Sequence, residues 1–337
     1  MTQTAKLTTT DTPTQSYFGC SVAISGDTIV VGAKGIRISG PYQGSAYVFA
    51  KPGTSWTDMT ETAKLRASDG AASDNFGISV AISGDTVVVG AVYGGTPDTG
   101  TAYVFLRGSG WSGTRTENAK LTASDGIDGA SFGQSVAISG DTVVVGANDA
   151  DLQGNYQYQG AAYVFVRPAG YWADTTQNAK LIASDAAFQD SFGLSVAIDD
   201  DTIVVGTKYS HSSYVFIRPP LWVGTLTENA KLVKSDGTAF SWARVAISGD
   251  TVVVGSLLEG VYVYVKPGSW SGTRTEDVQL TTPVGAGSFA GGGVAISSDT
   301  IVVGAPSDMV GTNRLGSAFV GRWVAGLHYL FLPLITK

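Results

Sequence analysis

Residues 79–91 read SVAISGDTVVVGA, and the same thirteen residues return at 135–147. Near copies stand at 21–33, 195–207, 244–256 and 293–305. Within each copy S-V-A-I-S alternates, with Val and Ile on one face and small Ser, Ala and Ser on the other. That period of two predicts a strand. T-[IV]-V-V-G is apolar on both faces, which predicts a second strand covered above and below. The S-G-D-T between them is a tight Gly-Asp hairpin turn. Asp199-Asp200-Asp201 and Ser297-Ser298-Asp299 replace it in copies four and six, so glycine helps there without being required.

Two further strands belong to each unit. One is A-Y-V-F at 46–49, 102–105 and 162–165, with variants at 213–216 and 261–264. The other is A-K-L at 63–65, 119–121, 179–181 and 230–232, and V-Q-L at 278–280. The turn aspartates Asp27, Asp85, Asp141, Asp201, Asp250 and Asp299 mark a period of about 50 to 60 residues, the length of a propeller blade. The predicted fold class is all-β: a six-bladed propeller of four-stranded antiparallel blades. An extra A-K-L at 5–7 precedes the first unit, so the N-terminal strand, residues 4–8, is expected to pair in the last blade and close the ring, leaving no open edge. One domain, 1–326, is expected, followed by a hydrophobic tail, 327–337. That tail competes for the same slot, and Pro333 suits an edge position.

Phe-Gly precedes the first strand in four copies: Phe18-Gly19, Phe76-Gly77, Phe132-Gly133 and Phe192-Gly193. F-G followed by S-V-A-I and V-V-G-A resembles the FG-GAP repeat, the blade unit of integrin α-subunit propellers and of many bacterial exported proteins. Phe240-Ser241-Trp242 and Phe289-Ala290 depart from the motif, and a literal G-A-P occurs at 304–306. The resemblance implies an extracellular or cell-surface protein, although no leader is visible at the N-terminus. Integrin-type blades carry calcium in D-x-D-x-D-G loops between strands one and two. Those loops are absent, and S-G-D-T cannot supply the six or more oxygens calcium takes, so no cofactor is expected, with calcium at a loop aspartate as the alternative.

Composition narrows the partners. A net charge of −7 without a Lys/Arg cluster excludes a nucleic-acid surface. No apolar run reaches the ~20 residues of a transmembrane helix. The single cysteine, Cys20, is expected to be a buried, inert thiol. Tryptophans after the third strand, Trp56, Trp111, Trp172, Trp222 and Trp270, are expected to pack between blades. The rings of F-G are expected to wedge there too.

Propeller alternation puts loops 2–3 and 4–1 on one face. Loop 2–3 varies most, at 34–44, 92–100, 148–160 and 257–260. Its candidate ligand-binding residues are Tyr42, Tyr93, Asp149, Asp151, Tyr156, Tyr158 and Tyr209, suited to a glycan or a protein ligand. The alternative is that these rings pack the loops themselves. Loop 4–1 carries Asp69 and Asp74, Asp125 and Asp128, Asp185 and Asp190, and Asp236, expected to bond their own backbone in Asx turns. His211 and His328 have no partner nearby in sequence, and no zinc spacing, nucleophile elbow or phosphate loop occurs. The chain is therefore expected to be a non-enzymatic binding or adhesion module. One alternative is a structural protein that self-associates through its N- or C-terminal strand. The other is a glycan-active hydrolase with carboxylates near the axis.

Overall fold

The computed structural model describes residues 3–11, 16–36, 43–95, 98–152, 154, 157–168, 170–257, 259–280, 293–305, 309–310, 313–314, 317–322 and 332–333. Six sheets stand in a ring, and no helix occurs among the described residues. Blade two shows the plan. Its strands Ser79–Ser83, Thr86–Ala91, Thr101–Leu106 and Ala119–Thr122 run antiparallel from axis to rim. The register places Val80 opposite Val89, Val89 opposite Tyr103, and Ala102 opposite Leu121.

A fifth strand was not anticipated. Thr175–Thr176, from the next repeat, adds in parallel to the outer edge of blade two. Gly113–Arg115, Gly224–Leu226 and Gly272–Thr275 do the same for blades one, three and four. Repeats two to five thus each tie down the blade before them, which covers outer edges that would otherwise be open to association.

The joints between blades explain the spelling of the repeat. The small face of each first strand meets the following blade. Ser79 Oγ donates to Gly133 O at 2.7 Å, as Ser21 does to Gly77 O and Ser135 to Gly193 O, both at 2.8 Å. Gly90 has no room for a side chain, because a Cβ there would stand 2.0 Å from Gly133 O. The ring of Phe132 packs at 5.5 Å on Tyr163 and 6.0 Å on Phe165, inside a core shared by blades two and three. Phe76 and Phe192 repeat this arrangement, so the expected wedge is present. Trp111, Trp172, Trp222 and Trp270 are all buried in these joint cores, as expected of packing residues.

The closing pairing differs from the expectation. Leu7–Thr8 pairs in parallel with Met59–Thr60, and Lys6 N–H donates to the Asp58 carboxylate. The third strand of blade six, Ser317–Arg322, pairs instead with Leu332–Pro333. A neighbour about ten residues away costs far less loop entropy than one three hundred residues away. Five joint cores link blades one to six in sequence, whereas among the described residues the sixth core draws on blade one and its N-terminal segment alone. Cys20 is exposed, contrary to expectation, although its thiol reaches the Gly77 carbonyl of the following blade at 3.3 Å.

Candidate functional site

The two faces of the ring are built differently. On the turn face, each blade's turn aspartate forms an ion pair with the base at or just beyond the end of the third strand: Asp27–Lys51, Asp85–Arg107, Asp141–Arg167, Asp201–Arg218, Asp250–Lys266 and Asp299–Arg322. This repeats in all six blades and leaves the turns alike.

The opposite face gathers loops 2–3 and 4–1, bridged where Gly44, Gly100 and Gly160 pair with Phe76, Phe132 and Phe192 of the following blade. Its aspartates serve the frame. Asp69 accepts from Lys120 Nζ at 2.7 Å and Tyr103 OH at 3.1 Å. Asp185 accepts from Tyr214 OH at 2.9 Å and pairs with Lys231 Nζ at 2.7 Å. Asp11 holds Lys64 and Tyr47, and Lys180 pairs with Asp125. Burial alone would push the Asp69 carboxyl up, but its lysine and tyrosine partners outweigh that and hold it below the ordinary value. Burial of the tyrosine hydroxyls, with the carboxylate beside them, drives their pKa values far upward.

These contacts correct the expected Asx turns. Among the described loop 4–1 aspartates, Asp236 caps the backbone ahead of it, accepting from Thr238 N–H at 2.9 Å. Asp74 and Asp190 cap backward, accepting from Ala71 N–H and Ala187 N–H. Burial raises the carboxyl pKa of both. The A-K-L lysine and the A-Y-V-F tyrosine were the sequence signal for these latches, since both recur in step with the aspartate.

The candidate ligand residues fall into three groups. Tyr42 and Tyr156 lie outside the described residues. Asp149 is half-buried and accepts from Ser131 Oγ at 2.7 Å and Asn148 Nδ2 at 2.9 Å, and Asp151 accepts from Gly154 N–H. Both carboxylates shape their loop. Tyr93, Tyr158 and Tyr209 are exposed.

Tyr158 and Tyr209 are joined by a residue that the sequence did not single out. Gln189 N–H donates to Gln157 O at 2.8 Å, Ser191 N–H to Tyr158 O at 3.1 Å, and Lys208 N–H to Asp190 O at 2.8 Å. The segment carrying Phe188, whose ring is 62% exposed, therefore lies between the Tyr158 and Tyr209 loops. Beyond Tyr209 the Lys208 ammonium stands 5.1 Å from the Tyr209 ring and 4.6 Å from that of Trp242. Tyr158, Phe188 and Tyr209, all exposed, thus lie on a strip of neighbouring segments with the Lys208 cation beside it, across blades three, four and five. Tyr158 adopts φ +51, in the left-handed region that L residues avoid. Tyr17, Asn75, Ser131 and Ser191 share a positive φ as the residue before F-G, a feature of the repeat itself. Tyr158 has no counterpart among the described residues of the other blades.

Among the described residues no three His, Cys, Asp or Glu side chains converge as a metal site, and no helix is long and apolar enough to cross a membrane. His211 is exposed beside the strip, and His328 lies outside the described residues.

Six radial sheets with repeated joints and one variable loop face define a β-propeller. A designed protein, Ika8, has a crystal structure similar to this one, with a TM-score of 0.51, 17% identity, and coverage of 98% of this chain and 88% of that one. That likeness concerns the fold alone. The FG-GAP repeat family matches at 1–49, 59–105, 115–165 and 175–216, more than half of the chain. The chain belongs to the FG-GAP repeat family. The matched repeats stop before the two blades in which F-G is replaced. No curated protein matches.

Proposed function

We propose that this propeller is a non-enzymatic binding module of the cell exterior, whose loop face engages a protein ligand. The observation that carries this reading is the strip of Tyr158, Phe188 and Tyr209 on hydrogen-bonded neighbouring segments. Large exposed rings on hydrogen-bonded neighbouring segments lose little conformational entropy when covered, and aromatic residues dominate the energetic centres of protein interfaces. Lys208, held over two rings, adds a charge for orientation. The loop aspartates support the reading from the other side: Asp69 and Asp185 already hold lysines and tyrosines, which favours a module without metal or catalytic carboxylates on this face. Membership of a family typical of extracellular proteins supports the location.

The test compares three proteins on arrays of extracellular proteins and of glycans. They are the wild type, a Tyr158→Ala/Phe188→Ala/Tyr209→Ala variant, and a turn-face variant Tyr171→Ala/Leu221→Ala. A protein ligand bound by the wild type and the turn-face variant, and lost at least tenfold by the strip variant, is the expected result. Binding confined to glycans, or equal loss in both variants, would overturn the proposal.

A further inference from the structure

The axis of the ring is a channel of about 570 Å³, within the range of roughly 300–1,000 Å³ found for small-molecule sites. Its wall is made by the Val-Ala-Ile triplets of all six first strands together with Ile29, and no polar side chain lines it. Part of this follows from packing, since Val80 and Ile82 are 8% and 9% exposed at their joint. At blade one the same wall positions are bare: Val22 is 68% exposed and Ile24 63%. The side chains of the channel wall are therefore all apolar, with backbone polar groups between them, and the wall lies open at blade one. Water gains little from such a wall, while an alkyl chain would bury it.

One mouth carries a single charge at the strand position that opens each wall. The six residues there are Ser21, Ser79, Ser135, Ser195, Arg244 and Gly293. Arg244 directly precedes Val245 of the wall, at the strand end facing the loops and just outside the residues that line the channel. It donates from Nη1 to Leu194 O at 3.1 Å, and no carboxylate pairs with it among the described residues. Burial lowers the pKa of its guanidinium, and no neighbouring charge compensates. A sequestered cation without a counter-ion is costly, and a planar guanidinium with free N–H donors matches a carboxylate. By contrast, Arg107, Arg167, Arg218 and Arg322 each face an aspartate.

We propose that the channel binds the alkyl chain of an anionic amphiphile, such as a fatty-acid carboxylate, with its head group at Arg244. The inference is independent of the loop-face reading, because it uses none of the aromatic strip. It is tested on the full chain by titration calorimetry with hexanoate, octanoate, decanoate and decanol, all below their aggregation concentrations. The expected result is saturable binding at one site, with affinity rising about fourfold per methylene along the acid series. Arg244→Gln is expected to weaken decanoate at least tenfold and leave decanol unchanged. Ala137→Phe, which fills the wall, is expected to abolish both. The acid series needs only the wild type, so a variant that misfolds does not rescue the idea. Absence of saturable binding, affinity independent of chain length, or equal loss of decanoate and decanol in Arg244→Gln would each overturn it.

Discussion

The joint between blades two and three and the joint between blades six and one are written with nearly the same residues, yet only the first is tight. At the first, Gly90 meets the Gly133 carbonyl, Ser79 bonds across, and Gly140 N–H donates to Ser83 Oγ. At the second, nothing among the described residues stands nearer to a Cβ on Gly304 than Gly293 of its own blade, at 3.6 Å. No bond joins Ser297 to Gly26, although both are described residues, and Val22 and Ile24 remain bare. The small-residue code is therefore permissive. It allows sheets to approach closely, and a neighbour held in place by chain connectivity decides whether they do. Loop-closure entropy favours neighbouring units over the two ends of the chain.

The largest effect should come from filling a tight joint. Gly90→Ala and Gly146→Ala would each place a Cβ 2.0 Å from a backbone carbonyl, which cannot move without parting two blades. A loss of about 3 kcal/mol or more in urea unfolding is expected for either. Gly304→Ala should change stability by less than about 0.5 kcal/mol, the range for sites free of such contacts. Equal losses at Gly90 and Gly304 would mean that the sixth joint closes like the others.

Next comes the wedge. Phe132→Ala should cost about 3–5 kcal/mol, because its ring is fully enclosed between blades. Phe18 stacks on Tyr47 and Phe49 in the same way but lacks a blade on its other side. Phe18→Ala is expected to cost roughly half as much, measured by the shift in the urea midpoint.

Val80→Ala and Val22→Ala compare the channel wall directly. The buried site should lose about 1–2 kcal/mol and the exposed one should stay near zero, by thermal melting. A loss at Val22 matching that at Val80 would again indicate a closed sixth joint.

The smallest effects are those of pH, and two kinds of loop aspartate oppose each other. Asp69 and Asp185 have lowered carboxyl pKa values, because Lys120 and Lys231 outweigh the effect of burial. Their stabilisation is present above the unfolded value of about 3.9 and is lost as pH falls through the lower folded value. Asp74 and Asp190 are raised by burial, so they bind protons more tightly when folded. Their cost is present at neutral pH and is relieved as pH falls through the raised value. Lys120→Met should therefore flatten the acid loss of stability below about pH 4. Asp74→Asn should remove a gain lying just above it. Urea midpoints measured from pH 3 to 7 would test both signs.

Much of this was legible beforehand. S-V-A-I-S could hardly be anything but a strand, and six spaced copies made the propeller the economical solution. Tyr93, Tyr158 and Tyr209 were recognisable because they interrupt loops that differ between repeats. Phe188 was not, since nothing in A-A-F-Q-D shows that its segment will lie between two tyrosine loops. The latch of Asp69, Lys120 and Tyr103 was missed for a similar reason: its members are 34 and 51 residues apart, and only sheet register unites them. Cys20 was misjudged because local sequence does not specify how far a strand end is covered within the ring.

Local spelling was enough to dictate the strands, the turns, their repetition and the small faces that let sheets stack. These depend on period, backbone sterics and side-chain size, all carried by neighbouring residues. Which strand occupies the last outer slot, which aspartates meet lysines, where the aromatic strip runs and where the axis lies open emerged in three dimensions. Those outcomes depend on competition between distant segments for one partner, and packing and chain entropy decide between them.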